Sequence, residues 1–100
     1  MGQGICPADV ISLCEADGQI RPLRVRYMDE EQLYRRLDVD QVLRRDEIRH
    51  TGAESQLFLC RATVGDSSWL FELKYVLRSH CWFITNRLYC STRLCKKTII

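Results

Sequence analysis

The stretch QLFLCRATV (56–64), followed by GDS (65–67) and SWLFELKYV (68–76), decides the fold. Phe58, Cys60, Ala62 and Val64 alternate with Leu57, Leu59, Arg61 and Thr63. Trp69, Phe71, Leu73 and Tyr75 alternate in the same way with Leu70, Glu72, Lys74 and Val76. Successive side chains of a strand point to opposite faces, so a period of two marks strand and not helix. Gly65, Asp66 and Ser67 between the runs are turn chemistry, and the whole predicts a β-hairpin.

The same grammar extends upstream. Residues 9–15 (DVISLCE) read as a short strand, and Ala16, Asp17 and Gly18 as a turn whose last residue tolerates a left-handed backbone. Residues 19–28 place Leu23, Val25 and Tyr27 on one face and Arg24, Arg26 and Met28 on the other. Pro22 has no N–H to donate to a ladder, which predicts an edge or a bulge there. A turn at 29–32 leads into Leu33, Arg35, Leu37 and Val39, alternating against Tyr34, Arg36, Asp38 and Asp40. Residues 29–50 also contain good helix formers, and Leu33, Leu37, Val42 and Leu43 fit helical spacing loosely, but the alternation favours strand. Residues 46–55 read as the longest loop and residues 80–85 as a last short strand. The expected fold is all-β: a small antiparallel meander of five to six strands, closed or nearly closed into a barrel of SH3-like or OB-like size. It spans residues 1–85, with residues 86–100 as a basic C-terminal extension.

A chain of 100 residues, 46% apolar and 28% charged, suits one globular domain. Its longest apolar runs are about three residues, far below the roughly twenty of a membrane-spanning helix, so no membrane partner is expected. The start, MGQGICPADV, has no basic, apolar leader pattern, and a cytoplasmic location is expected. The net charge of +2 is unevenly divided: residues 1–72 carry nine basic and thirteen acidic side chains, residues 73–100 six basic and no acidic ones. A basic end reads as a solvated tail or as a contact for an anionic partner. The twelve arginines suit planar pairing with carboxylate or phosphate, and within 21–49 they are interleaved with acids, as cross-strand ion pairing requires.

Chemistry-bearing constellations are sparse. The six cysteines, at 6, 14, 60, 81, 90 and 95, contain no C-x2-C pair, whereas structural zinc sites usually show two tight pairs. No metal and no cofactor are expected, and Cys60 and Cys81 read as small core residues with free thiols. Asp38 and Asp40 would share one strand face as a cation or acid–base pair, but nearby arginines make a solvated ion-pair face the simpler reading. His80 and Cys81 are consecutive on a strand and point apart, a poor nucleophile–base dyad. No catalytic residue is assigned, and no enzyme is expected. Trp69, Phe71, Tyr75, Phe58 and Phe83 would make a base-stacking platform if exposed, but a barrel this small needs them as core.

The runs DGQIRPL (17–23), VDQVL (39–43), FLCR (58–61), FELKY (71–75) and Trp82-Phe83 together resemble a family of unknown function, small proteins of Gram-positive bacteria of about this length. The resemblance spans residues 10–83 and implies a compact antiparallel β-barrel, with no activity or site residues. From Asn86 onward the chain departs from that pattern.

These readings favour a non-catalytic interaction module that docks a protein partner through a sheet edge or an arginine-bearing face. Homo-oligomers through an edge strand are a further expectation, and nucleic-acid binding is the alternative. The candidate interaction residues are Arg24, Arg26, Tyr27, Tyr34 and Arg36, with Arg87, Arg93, Lys96 and Lys97 in the basic extension. Tyr27 and Tyr34 are chosen because they flank the turn at 29–32.

Overall fold

Six antiparallel strands form a closed barrel in the computed structural model, which describes residues 5–50 and 53–86. They are β1 (Cys6–Cys14), β2 (Ile20–Met28), β3 (Tyr34–His50), β4 (Ala53–Val64), β5 (Ser67–Val76) and β6 (Cys81–Asn86). Each strand pairs with the next in the chain, and β6 returns to β1 to close the meander. No helix occurs among the described residues, so residues 34–50 are strand and the helical alternative fails.

The deciding hairpin is regular. β4 and β5 pair without interruption from Ser55↔Val76 to Val64↔Ser67, across the turn in which Gly65 takes φ +61°. Phe58, Cys60, Ala62, Phe71 and Leu73 point inward and are buried, as the alternation requires. Val25, Tyr27, Leu37 and Ile84 complete the core. Trp82 closes it, with ring centroids 5.7 Å from Phe58 and 4.7 Å from Tyr75, a spacing at which tilted rings attract. Phe58 and Phe71 are core, and half-buried Tyr75 packs against them. Trp69 and Phe83 are half-buried outside that cluster, Phe83 on the opposite face of its strand from Trp82 and Ile84.

Three sequence expectations change. Residues 46–55 are not a loop: β3 runs to His50 and β4 starts at Ala53, in register through Glu47↔Gln56 and Arg49↔Glu54. Its charges pair along the strand, Arg44 with Asp46 and Arg49 with Glu47, each at 3.1 Å. Its inward face carries only half-buried Ile48 opposite the buried Ser55, too little apolar alternation to mark a strand in the sequence. Leu23 leaves the face of Val25 and Tyr27, and Pro22 is buried in its place. The register passes from Ile11↔Arg24 to Ser12↔Pro22, so Leu23 is the extra residue of a bulge. Pro22 stands beside it beyond the last β2–β3 pair, which meets both of its expected settings. Val64, at the strand end, is exposed.

Candidate interaction surface

Among the described residues, the outward side chains of β1, β2 and β3 build the surface on which Arg24, Arg26, Tyr34 and Arg36 meet. Cross-strand register sets Asp9 beside Arg26 and Arg26 beside Arg36, with Ile11 beside Arg24 and Arg24 beside Asp38. Arg26 holds Asp9 with two donors on one oxygen, Nη2 at 2.6 Å and Nε at 3.1 Å. The hydrogen bond to Asp9, then the charge of Asp9, push the Arg26 pKa above the ordinary arginine value. Its guanidinium lies 4.7 Å from the centroid of the exposed Tyr34 ring, an attraction of cation for aromatic face. Arg24 donates to Asp38 at 2.9 Å, and Arg36 reaches the same carboxylate oxygen at 3.7 Å. Between these groups lies a depression of about 360 Å³ floored by Val10 and Ile11.

Next to it, a groove of about 850 Å³ runs along the β1–β6 seam from Met28 and Tyr34 to His80 and Cys81. The two regions share Asp9, Val10 and Arg26. Met28 and Tyr34 are opposite each other at the β2–β3 end, and both are exposed. The turn below them is tied by Asp29, which accepts from the backbone N–H of Glu31 and Leu33 at 2.8 and 3.0 Å and from Arg35 Nε at 2.6 Å. The bond from Leu33 first, then that from Arg35, hold the Asp29 carboxyl below the usual carboxylate range.

Of the sequence candidates, Arg24, Arg26, Arg36 and Tyr34 lie together on this face. Tyr27 does not. It is buried, because it shares the inward face of Val25, and Met28 is the residue that the turn leaves facing out. Met28 and Ile11, both exposed, join this face without having been sequence candidates; their place opposite Tyr34 and Arg24 follows only once the register is known. Arg87, Arg93, Lys96 and Lys97 lie outside the described residues.

The other constellations separate. Asp38 turns to β2, whereas Asp40, the extra residue of a bulge, accepts from Thr63 of β4 at 2.6 Å. His80 Nδ1 lies 2.9 Å from the Tyr75 hydroxyl, while the Cys81 thiol donates to the Ser79 carbonyl at 3.4 Å. Cys6, Cys14, Cys60 and Cys81 are free. Cys81 is exposed, against the core reading, because it opens β6 just after the turn. Burial pushes the Cys60 thiol up to about 12. Among the described residues no group of His, Cys, Asp and Glu could hold a metal ion, and no helix is long and apolar enough to cross a membrane. No family model, curated protein or solved structure matches the chain.

Proposed function

We propose that this chain is a non-catalytic β-barrel interaction module, bacterial and cytoplasmic, that docks a protein partner on the outer face of β1, β2 and β3. The single observation that supports the reading is the cluster of Arg26, Tyr34 and Met28 at the head of the groove. Arginine, tyrosine and methionine are enriched in protein interfaces, and arginine and tyrosine among the residues that dominate binding energy. Asp9 and Tyr34 hold the Arg26 side chain in one orientation before any partner arrives, which lowers the ordering cost of association.

Charge argues for protein over nucleic acid. Residues 1–86 hold thirteen acidic and eleven basic side chains. Arg24, Arg26 and Arg36 all lie within salt-bridge reach of Asp9 or Asp38. A phosphate would have to displace those carboxylates.

The test compares partner capture from a bacterial lysate by the intact chain and by Tyr34→Ala with Met28→Lys. Loss of one captured protein in the variant, with an unchanged circular dichroism spectrum and weak salt dependence, is the expected result. Equal capture by both proteins overturns the reading. Nucleic-acid binding with a steep salt slope, falling by up to about 3.6 in log K per log salt when Arg87, Arg93, Lys96 and Lys97 are replaced, establishes the alternative.

A further inference from the structure

β1 is paired unequally on its two sides. It meets β2 over residues 8–14 but β6 over residues 6–8 alone, because β6 begins at Cys81, one residue past the Ala8↔Trp82 pair. β2 in turn meets β3 only as far as Arg24↔Asp38. Among the described residues, residues 11–14 and 20–23 are therefore a two-stranded ribbon outside the closed ladder, with an edge on each side.

The two edges are treated differently. The β2 edge carries Pro22, which cannot donate, and the bulged Leu23 beside it. The Ile20 carbonyl is already occupied by Arg45 Nη1 at 2.7 Å. The β1 edge, Val10, Ile11, Ser12, Leu13 and Cys14, contains no proline, no glycine and no charge. Ile11 and Leu13 are 57% and 41% exposed there, on an edge without the proline or charge that commonly blocks strand addition.

We propose that a second copy of this chain adds to that edge, β1 antiparallel to β1 across a two-fold axis that sets Ser12 opposite Ser12. A two-fold perpendicular to the sheet keeps outer faces outward, so a residue can face only one of its own parity. Centring the axis on Ile11 sets Asp9 against Leu13, and centring it on Leu13 sets Glu15 against Ile11. Centring it on Ser12 matches Ile11 with Leu13 twice on one face and Val10 with Cys14 twice on the other. Asp9 and Glu15 flank this pairing at its ends, where Cys81 of β6 closes the open edge beside Asp9. Each carboxylate brings its own arginine, Arg26 at 2.6 Å and Arg21 at 3.1 Å. The result is a four-stranded sheet, β2–β1–β1–β2, in which the open backbone groups of β1 find partners. The pairing goes beyond the proposed docking function, though it shares Ile11 and the Asp9–Arg26 pair with that face. It does not use Tyr34 or Met28, so Tyr34→Ala with Met28→Lys should still dimerise, which separates failure of one from failure of the other.

The test uses the full chain in sedimentation velocity across a range of concentrations. The unchanged protein is expected to be a dimer, and Ile11→Lys with Leu13→Lys to halve the molar mass while keeping the same circular dichroism spectrum. The register is tested separately with Ser12→Cys in a background of Cys14→Ser and Cys81→Ser, with the background alone as control. Directly opposed residues have Cα atoms about 4.5–5.5 Å apart, within disulfide reach. Ser12→Cys should give a covalent dimer on mild oxidation, and Leu13→Cys, which faces Ile11, should not. A monomer at every concentration, a dimer untouched by the lysines, or equal cross-linking by Leu13→Cys overturns the proposal. So does the finding that a different protein occupies this edge in place of the second copy.

Discussion

The β4–β6 half and the β1–β3 half of the barrel use the same strand grammar to opposite ends. Six of the nine buried core residues, Phe58, Cys60, Ala62, Phe71, Leu73 and Ile84, come from β4–β6, and β1 supplies none. The β4–β5 ladder runs ten pairs without a break and β5–β6 is broken once, at Thr85, while β1–β2 and β3–β4 are bulged at Leu23, Asp40 and Leu43. The exposed large apolar residues divide the other way. Ile11, Leu13, Leu23, Met28, Leu33, Tyr34 and Leu43 lie in or between β1, β2 and β3, against Val64 and Leu77 in the other half. An unbroken period of two sends every second side chain inward. Each bulge adds a residue outside that alternation and re-aims its neighbours, so at Leu23 and Leu43 large apolar side chains turn outward.

This division is most open to challenge at Phe71, which is fully buried. Phe71→Ala should cost about 3–5 kcal/mol in urea unfolding, from lost burial and the cavity left behind. A cost as small as that of a surface change would mean that the regular half does not hold the fold. Next comes Cys60→Ser, expected to cost about 1–3 kcal/mol by putting a hydroxyl into an apolar site. The same burial that raises this thiol to about 12 should keep Cys60 unalkylated at pH 8 in the folded protein, while the exposed Cys14 and Cys81 react. Mass spectrometry of the labelled protein reads both outcomes.

On the β1–β3 side the expected effects are smaller and tied to charge. The Asp29 pKa is lowered in the folded protein, so its contribution to stability is fully present above the ordinary value of about 3.9 and is lost as pH falls through the lower folded value. Stability of Asp29→Asn should therefore fall less steeply than that of the unchanged chain between pH 5 and the acid limit, with urea midpoints as the measure. The smallest change is expected for Tyr34→Ala, within about 0.5 kcal/mol, because the ring is exposed. A loss comparable to that of Phe71→Ala would make Tyr34 structural and remove it from the docking surface.

The alternation of residues 56–76 around Gly65 determined the hairpin, its inward set and so the class of fold, because a half-buried strand must repeat at two whatever surrounds it. Asp17-Gly18 marked the first turn for a similar local reason, with Gly18 at φ +92° and the Asp17 carboxylate accepting from the Gln19 N–H at 3.0 Å. Arg24, Arg26, Arg36 and Tyr34 were legible as outward residues, but their cluster was not, since it depends on which residue lies opposite which. Residues 46–50 and 53–55 became strand through ladder bonds to a neighbour, and the inward pair there, Ile48 and the buried Ser55, is too short and too polar to give an apolar alternation. The bulge at Leu23, the burial of Pro22, the closure of β6 on β1 and the open stretch of the β1 edge were likewise decided only in three dimensions. Side-chain periodicity is a local property of one strand, whereas register and closure belong to pairs of strands distant in the chain, and only tertiary contact sets them.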